Sequence, residues 1–116
     1  MGRNGEDSAE EVVRVPADWT VQPYGAIDIA VADRLRCEWY GAVEEHRPDR
    51  FVVDLSHVVF VGVVGVDLLA GVARRQREHG GRTAVRNPSA LVVKILRITG
   101  MAATVEVMPA ECLDRA

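Results

Sequence analysis

The sequence predicts an α/β fold in which a mixed, mostly parallel β-sheet packs against helices. Short apolar runs alternate with longer stretches whose apolar residues recur at helical spacing. Such alternation favours right-handed β-α-β crossovers and therefore parallel neighbouring strands. The chain has 116 residues, of which 48% are apolar, enough for one hydrophobic core. We expect a single domain over residues 11–109, a disordered tail over 1–10 and a second tail over 110–116.

The first two strands are predicted before the first helix. Val12 to Val15 form a short β-branched run, which predicts an edge strand ending at Pro16. Trp19 to Tyr24 predict a second strand. Because proline cannot donate to a strand ladder, Pro23 demands either an edge position or an irregularity in this strand.

A change of period after Asp28 predicts the first helix. Apolar residues recur at helical spacing from Val31 to Val43, with Asp28 as the expected N-cap and Pro48 as the stop. The run from Phe51 to Leu55 is almost continuously apolar, as in a central strand covered on both faces, so we expect it at the centre of the core. Asp54 is expected to be a hydrogen-bond acceptor at the end of this strand.

The second helix is predicted to follow Gly65. Apolar residues from Leu68 to Ala73 lie on one side of it, and the polar residues from Arg74 to Glu78 are expected to fill the solvent side. The sequence His79-Gly80-Gly81 ends this helix, since glycine is common just beyond helix C-termini. We expect its arginines to form a solvated face and not a nucleic-acid-binding patch, because a net charge of −3 argues against a nucleic-acid-binding domain.

One more helix and two more strands complete the predicted fold. Arg82 to Arg86 are predicted to form a strand, and Val105 to Val107 a last short strand. Ser89 is expected to cap the third helix, which Thr99 and Gly100 end. The predicted order is β-β-α-β-α-β-α-β.

Two strand-to-helix junctions are the candidate functional sites, because open sheets bind ligands and partners at the carboxyl ends of their strands. Gly25 to Asp28 lead into the first helix and Val61 to Gly65 into the second, so both lie at one end of the sheet if their strands are neighbours. The second junction lacks a hydroxyl, a carboxylate and a lysine, and Gly62 is its acceptable N-cap. Val63 and Val64 either point into the core or lie partly exposed as apolar contact area for a partner.

No catalytic or metal-binding motif is present in the sequence. It has no GxSxG, HExxH or P-loop motif, and Cys37 and Cys112 lack metal-ligand spacing. His46, His57 and His79 are expected at a helix end, in a turn after a strand and at a helix C-terminus. We therefore expect a protein that is not an enzyme and that uses no cofactor and no metal.

The sequence shows no signal for export or membrane insertion. Its first residues are acidic and lack the apolar stretch of a signal peptide, and no later apolar run is long enough to span a bilayer. We expect a cytoplasmic protein with free thiols, present as a monomer or weak dimer.

Four stretches, in their order along the chain, carry a resemblance to a known family. They are GAID, FVVDLSHVVFVGVVGV, RRQREHGGRTAVRNPS and VKILRITGM. Together they resemble the STAS domain, named for sulfate transporters and anti-sigma factor antagonists, over about Val12 to Met108. The likeness is to the stand-alone bacterial antagonists. It implies a non-catalytic regulator of transcription that docks on an anti-sigma factor, which is also a serine kinase.

The resemblance departs from the family at its phosphorylation motif. In the family the strand is followed by Phe-x-Asp-Ser-Ser-Gly-Leu, and the partner kinase phosphorylates the second Ser. Phe60 and Gly65 match this motif, Val66 replaces the Leu, and Val64 stands at the acceptor position. Asp28 matches the Asp of the family's Gly-Glu-Leu-Asp. The resemblance therefore implies a protein that cannot be phosphorylated at this position. Phosphorylation by the partner kinase then cannot end the interaction between the two proteins.

The docking face implied by the resemblance combines the Gly62–Val66 loop with the exposed side of the second helix. Its residues are Asp28, Gly62, Val63, Val64, Gly65, Val66, Asp67, Gly71, Arg74 and Arg75. Two alternatives remain for the function. One is an accessory module of a transport system, which an apolar pocket beside Val63 and Val64 would indicate. The other is a subunit of a larger signalling assembly.

Overall fold

The computed structural model describes residues 18–108. The predictions for the N-terminal tail, for the strand at Val12–Val15, for Cys112 and for the C-terminal tail lie outside the described residues. The described elements, in chain order, are β1 Asp18–Val21, β2 Tyr24–Ile27, α1 Ile29–His46, β3 Arg50–Asp54, β4 His57–Val61, α2 Val63–Glu78, β5 Arg82–Arg86, α3 Ala90–Ile98, a 3₁₀ turn Met101–Ala103, and β6 Glu106–Met108.

Every strand pairing in the described range is parallel. β1, β3, β5 and β6 form a four-stranded sheet in the order β1-β3-β5-β6, and β2 and β4 form a two-stranded sheet. Residues 22–23 link β1 to β2 and residues 55–56 link β3 to β4, so these two segments run side by side through both sheets. The predicted α/β fold with a mostly parallel sheet is confirmed.

The strand predicted from Trp19 to Tyr24 is interrupted in the structure. β1 ends at Val21, and β2 begins only at Tyr24. Pro23 lies between the two strands, as expected of a residue that has no N–H to donate. The irregularity expected at Pro23 is therefore present, whereas the prediction of one continuous strand from Trp19 to Tyr24 was wrong.

β4 is a strand that the sequence did not predict. His57, expected in a turn, is its first residue. The register between β2 and β4 shifts at Gly25, so Val59 is an extra residue of β4 with no partner in β2. Because of this bulge Val58 and Val61 are both buried, and the alternation of buried and exposed residues that marks a strand is lost.

The hydrophobic core lies between the helices and one face of the sheet. Phe51, Val53 and Leu55 are fully buried at its centre. Val52, on the opposite face of β3, is also buried, so the prediction of a central strand covered on both faces is confirmed. The other large contributors come from α1, α2, α3 and the remaining strands, and they include Leu35, Trp39, Val43, Val61, Leu68, Leu69, Val72, Val85, Val92 and Leu96. Between residues 18 and 108, no helix combines the length and apolar character needed to cross a bilayer.

Side chains cap two of the helices as predicted. Asp28 Oδ1 accepts a hydrogen bond from the N–H of Ala30 at 3.1 Å at the start of α1. Ser89 Oγ accepts one from the N–H of Val92 at 3.2 Å at the start of α3. Each cap satisfies an amide that would otherwise lack a partner at the helix N-terminus, so both helix starts were predictable from the sequence.

Gln76 corrects the prediction that the polar residues of α2 face solvent. Its side chain is fully buried, and Nε2 donates to the carbonyl oxygens of Pro48 at 3.1 Å and Arg82 at 2.7 Å. His79 Nε2 lies 2.8 Å from Gln76 Oε1. The side chain therefore anchors the end of α2 to the segments that lead into β3 and β5.

Candidate functional site

The two strand-to-helix junctions lie side by side. Ile27 of β2 and Val61 of β4 are register partners, and the N–H of Gly62 donates to the carbonyl oxygen of Ile27 at 2.9 Å. The strands lead directly into α1, which begins at Ile29, and into α2, which begins at Val63. The expectation that both junctions share one end of the sheet is confirmed.

α2 begins within the segment that was expected to be a loop. The helix begins at Val63 rather than after Gly65, and Gly62 is its N-cap. Gly62 was the predicted cap, and it has no side chain with which to accept a hydrogen bond from the first turn. The expected loop over 62–66 was therefore wrong, because these residues form the first turn of α2.

Gly65 allows α2 to approach the end of β2 closely. A Cβ atom at this position would lie 2.8 Å from the carbonyl oxygen of Ile27 and 2.8 Å from Val61 Cγ1. Such distances are too short for carbon against oxygen or carbon, so any side chain would force the helix away from the strands. Gly65 is buried and supports the junction from within, so it is not itself a contact surface.

Three exposed apolar side chains belong to the two junctions. They are Ile29, 78% exposed, Phe60, 45% exposed, and Val63, 79% exposed. A Cβ atom on Gly62 would lie 3.6 Å from Phe60 Cε2 and 4.0 Å from Asp28 Cα, which shows that the two junctions are in contact here. We call Asp28, Ile29, Phe60, Gly62 and Val63 the junction surface.

The valines at the start of α2 differ in their exposure to solvent. Val63 is exposed, whereas Val64 and Val66 are half-buried. Exposed apolar side chains that lie together mark interaction sites more often than isolated ones do. Of the two valines with open alternatives, Val63 is therefore the exposed one, and Val64 is partly covered.

Sequence reasoning missed Ile29 as a surface residue. Ile29 follows the cap residue Asp28 directly and lies three residues before the buried Ala32, at the spacing of the buried stripe of α1. Because this spacing predicts burial, the sequence carries no signal for the exposure of Ile29. Phe60, which the family resemblance identifies only as a match to the motif, is almost half exposed and follows the bulge at Val59.

The outer side of α2 carries only part of the predicted docking face. Asp67 and Arg74 are exposed, as expected. Gly71, however, is buried, and a Cβ atom there would overlap Tyr40 Oη and lie 2.8 Å from Tyr40 Cζ. The expectation that Gly71 lies on the exposed side was wrong, because this residue lets α2 pack against α1.

Arg75 is engaged with α1 as well. Its Cζ lies 4.1 Å from the centroid of the Tyr40 ring, a cation–π contact, and its Nη1 lies 3.5 Å from Glu44 Oε2. The side chain of Arg75 is only about one-third exposed, at 36%. Arg74 is therefore the more accessible of these two arginines for a partner.

A polar cluster joins the carboxyl ends of β3 and β5. The buried Asp54 carboxylate accepts hydrogen bonds from the Ser56 N–H at 3.0 Å, the Ser56 hydroxyl, Gln22 Nε2 at 3.1 Å and Arg86 Nη2 at 3.3 Å. Burial alone would raise the pKa of Asp54, but these hydrogen bonds outweigh it and hold the pKa below its usual range. Asp54 is thus the strand-end acceptor that the sequence predicted.

The described side chains include no candidate metal centre. Within residues 18–108, no group of three or more His, Cys, Asp or Glu side chains lies close enough together to hold an ion. The Asp28 carboxylate accepts from the N–H of Ala30 at the start of α1, and Asp54 is occupied by the cluster described above. The junction surface therefore offers apolar area and one capping carboxylate.

The sequence and the fold are similar to known proteins. The STAS domain profile matches residues 10–111. An anti-sigma factor antagonist from Mycobacterium paratuberculosis shares 27% identity, with a TM-score of 0.73 over 85% of this chain and 81% of that one. Unphosphorylated SpoIIAA, an anti-sigma factor antagonist of Bacillus, shares 20% identity with a TM-score of 0.68 over 90% and 93% of the two chains. The STAS domain of a SulP transporter from Vibrio cholerae shares 18% identity with a TM-score of 0.66 over 84% and 77%. No curated protein matches the sequence.

Proposed function

This chain belongs to the STAS domain family, and we propose that it is a regulator of the anti-sigma factor antagonist type that docks on a kinase-type anti-sigma factor through its junction surface. The observation that carries this proposal is the exposure of Val63, Phe60 and Ile29 on two junctions that approach each other at Gly62. The buried centre of a protein–protein interface needs such apolar area. Because an anti-sigma factor acts on transcription, the proposal places this protein in a bacterial cytoplasm.

The proposed contact area extends from the junction surface along α2. It adds the side chains of α2 that are exposed or half-buried on that side, namely Val64, Val66, Asp67, Arg74 and, in part, Arg75. Gly65 and Gly71 contribute by holding α2 against β2 and α1. The two glycines set the position of α2, and with it the orientation of the contact side chains, without contacting the partner themselves.

Docking on this surface is proposed to be independent of phosphorylation. SpoIIAA has both an unphosphorylated and a phosphorylated form. In this chain Val64 stands at the position that the family resemblance assigns to the phosphorylated serine, and valine has no hydroxyl group to accept a phosphoryl group. No charge of about −2 can therefore be added at this position to repel a partner.

Val63→Asp tests the proposed contact area. We expect this variant to bind at least about tenfold more weakly, because a partner must remove its carboxylate from water against an apolar surface. Titration calorimetry measures the affinity for an ATP-binding anti-sigma factor that is recovered from native cells and then purified. Ile98→Asp is the matched control, since Ile98 is 74% exposed but lies on α3, outside the junction surface. Equal affinities for the Val63→Asp variant and the wild type would place the interface elsewhere.

An accessory role in a transport system is the second candidate function. The fold likeness to the SulP transporter domain supports it, and the higher identity to the mycobacterial antagonist favours the first candidate. Under the second candidate, purified anti-sigma factors do not bind, and a transporter is recovered instead. A subunit of a larger signalling assembly would elute from size-exclusion chromatography of native extract far ahead of the isolated protein.

A further inference from the structure

β2 and β4 leave one face of their two-stranded sheet open to solvent. On this face Tyr24 is 80% exposed, Val59 is 64% exposed and Phe60 is 45% exposed. The other face lies in the core, where the register partners Ile27 and Val61 are buried. Parallel sheets are almost always covered on both faces, and exposed apolar side chains that lie together mark interaction sites. The open face therefore indicates a further contact.

The strand register places these side chains next to one another. Register partners point to the same side of a sheet, and Tyr24 pairs with His57 and Ala26 with Phe60. Residues two apart in a strand also share a face, which places Val59 with His57. Because the bulge inserts Val59 before Phe60, both side chains are directed outward. We call Tyr24, Ala26, His57, Val59 and Phe60 the ribbon face.

The ribbon face carries no carboxylate, lysine or arginine. In a two-fold dimer each subunit presents the same patch to the other, so any charge on the patch would meet a like charge. An uncharged face avoids this repulsion. Pleated faces also pack well on one another, as they do between the sheets of β-sandwiches. A second copy of this chain is therefore the occupant that the ribbon face fits.

We propose that this chain forms a two-fold dimer through its ribbon face and that the dimer withholds the junction surface from the docking partner. Tyr24, Val59 and Phe60 are buried at the centre of the dimer interface. An interface built on so few side chains is small, so the dimer is weak and exchanges reversibly with the monomer.

Phe60 links self-association to docking, because it belongs to both the ribbon face and the junction surface. Its Cε2 would lie 3.6 Å from a Cβ atom on Gly62, the N-cap of α2. One side chain cannot be buried by two partners at once, so the dimer and the docked complex exclude each other. This exclusion rests on the proposed docking function, whereas the dimer does not. It would regulate docking through the concentration of the chain, at a surface where Val64 accepts no phosphate.

Sedimentation equilibrium of the full chain alone tests the dimer, at concentrations from about 10 µM to 1 mM, where small interfaces associate. The wild type should pass from monomer to dimer within this range. Val59→Asp should associate at least tenfold more weakly, because its carboxylate must leave water against an apolar face. Val59→Thr keeps the β-branched shape that suits a strand and should weaken association by less. Ile98→Asp is the control and should dimerise as the wild type does, since Ile98 is 74% exposed on α3.

Amide NMR spectra of the ¹⁵N-labelled wild type, recorded over the same range, test where the dimer forms. The signals of Tyr24, Ala26 and Phe60 should shift on dilution, and the signal of Gly41, in the exposed middle of α1, should not. A wild type that stays monomeric throughout the range would overturn the dimer and leave the ribbon face to a different protein. Dilution shifts confined to elements other than β2 and β4, or a Val59→Asp variant that dimerises as the wild type does, would overturn the ribbon face as its interface.

Titration calorimetry with the anti-sigma factor tests the exclusion separately. The apparent affinity of the wild type for the factor should fall as the concentration of the chain rises, because more of the chain is then dimeric. Equal affinities at low and high concentration would overturn the exclusion. Val63→Asp should lose docking and still dimerise, since Val63 lies outside the ribbon face. Failure of the docking proposal would therefore leave the result of the sedimentation experiment intact.

Discussion

Val63 and Gly65 are two positions apart in the first turn of α2 and have opposite environments. Val63 is exposed, whereas Gly65 is buried against Ile27 and Val61. We expect that the exposed valine can be changed without disturbing the fold, whereas a side chain at the buried glycine would meet the backbone of β2. This difference separates contact residues from supporting residues within a single turn, and it makes the two roles testable by different measurements.

Gly65→Ala is expected to lower the free energy of unfolding by about 1–3 kcal/mol, the usual cost of overpacking. The added methyl group meets the backbone oxygen of Ile27, which cannot move without shifting β2. Urea denaturation measures this change. The control is Gly41→Ala in the exposed middle of α1, where a Cβ atom would meet nothing within 4 Å. That substitution should stabilise the protein by up to about 1 kcal/mol. A Gly65→Ala variant as stable as the wild type would mean that α2 does not pack as closely as described.

At the scale of single residues, the sequence predicted the residues that act locally and missed those that depend on distant segments. Asp28 and Ser89 cap their own helices, so their roles follow from the next three residues. Gln76 is buried because the carbonyl oxygens of Pro48 and Arg82 accept from it, and these residues come from other elements. Gly71 is buried because Tyr40 of α1 covers it. Neither environment has a signature in the neighbouring sequence.

At the scale of elements, the link between β3 and β4 is held by the Asp54 cluster. Asp54 accepts hydrogen bonds from the Ser56 turn, from Gln22 after β1 and from Arg86 of β5. It therefore joins three neighbouring strands of the sheet and the turn from which β4 leads to the junction surface. The sequence predicted Asp54 as a hydrogen-bond acceptor but did not predict β4. The bulge at Val59 removes the alternation of buried and exposed residues by which a strand is recognised.

Asp54→Asn is expected to lower the free energy of unfolding at pH 7 by about 1–3 kcal/mol, since it leaves buried donors without a charged acceptor. The pKa of Asp54 is lowered in the folded protein, so its contribution is complete above the ordinary pKa of about 4 and is lost as the pH falls through the lower folded value. The variant should therefore lose stability less steeply than the wild type as the pH falls below about 4.

Urea denaturation over a series of acidic pH values checks this expectation. Asp33→Asn is the matched control, because the Asp33 side chain is 90% exposed and, among residues 18–108, pairs only with Arg36 of the same helix. This control should follow the wild-type curve. If the free energy of unfolding fell equally steeply with pH in the Asp54→Asn variant and in the wild type, the ionised carboxylate of Asp54 would not be what holds these elements together.

At the scale of the whole molecule, the parallel sheet places two strand-to-helix junctions at one end. The sequence predicted this arrangement on the condition that the two strands are neighbours, because neighbouring parallel strands send their following helices from the same edge. The structure meets that condition through the pairing of β2 with β4, and β4 itself was not predicted. The contact between the junctions could not be predicted in detail. It depends on the register of β2 against β4 and on the bulge that brings Phe60 to the surface.

The most direct test of the central claim is the affinity for the purified kinase-type anti-sigma factor before and after incubation with ATP, measured by titration calorimetry. The wild type, with Val64 at the acceptor position, should bind equally well in both conditions. The variant Val64→Ser restores a hydroxyl group and should bind before incubation, then lose affinity as phosphate is added. A wild type that binds before incubation and loses its affinity after it would contradict the claim.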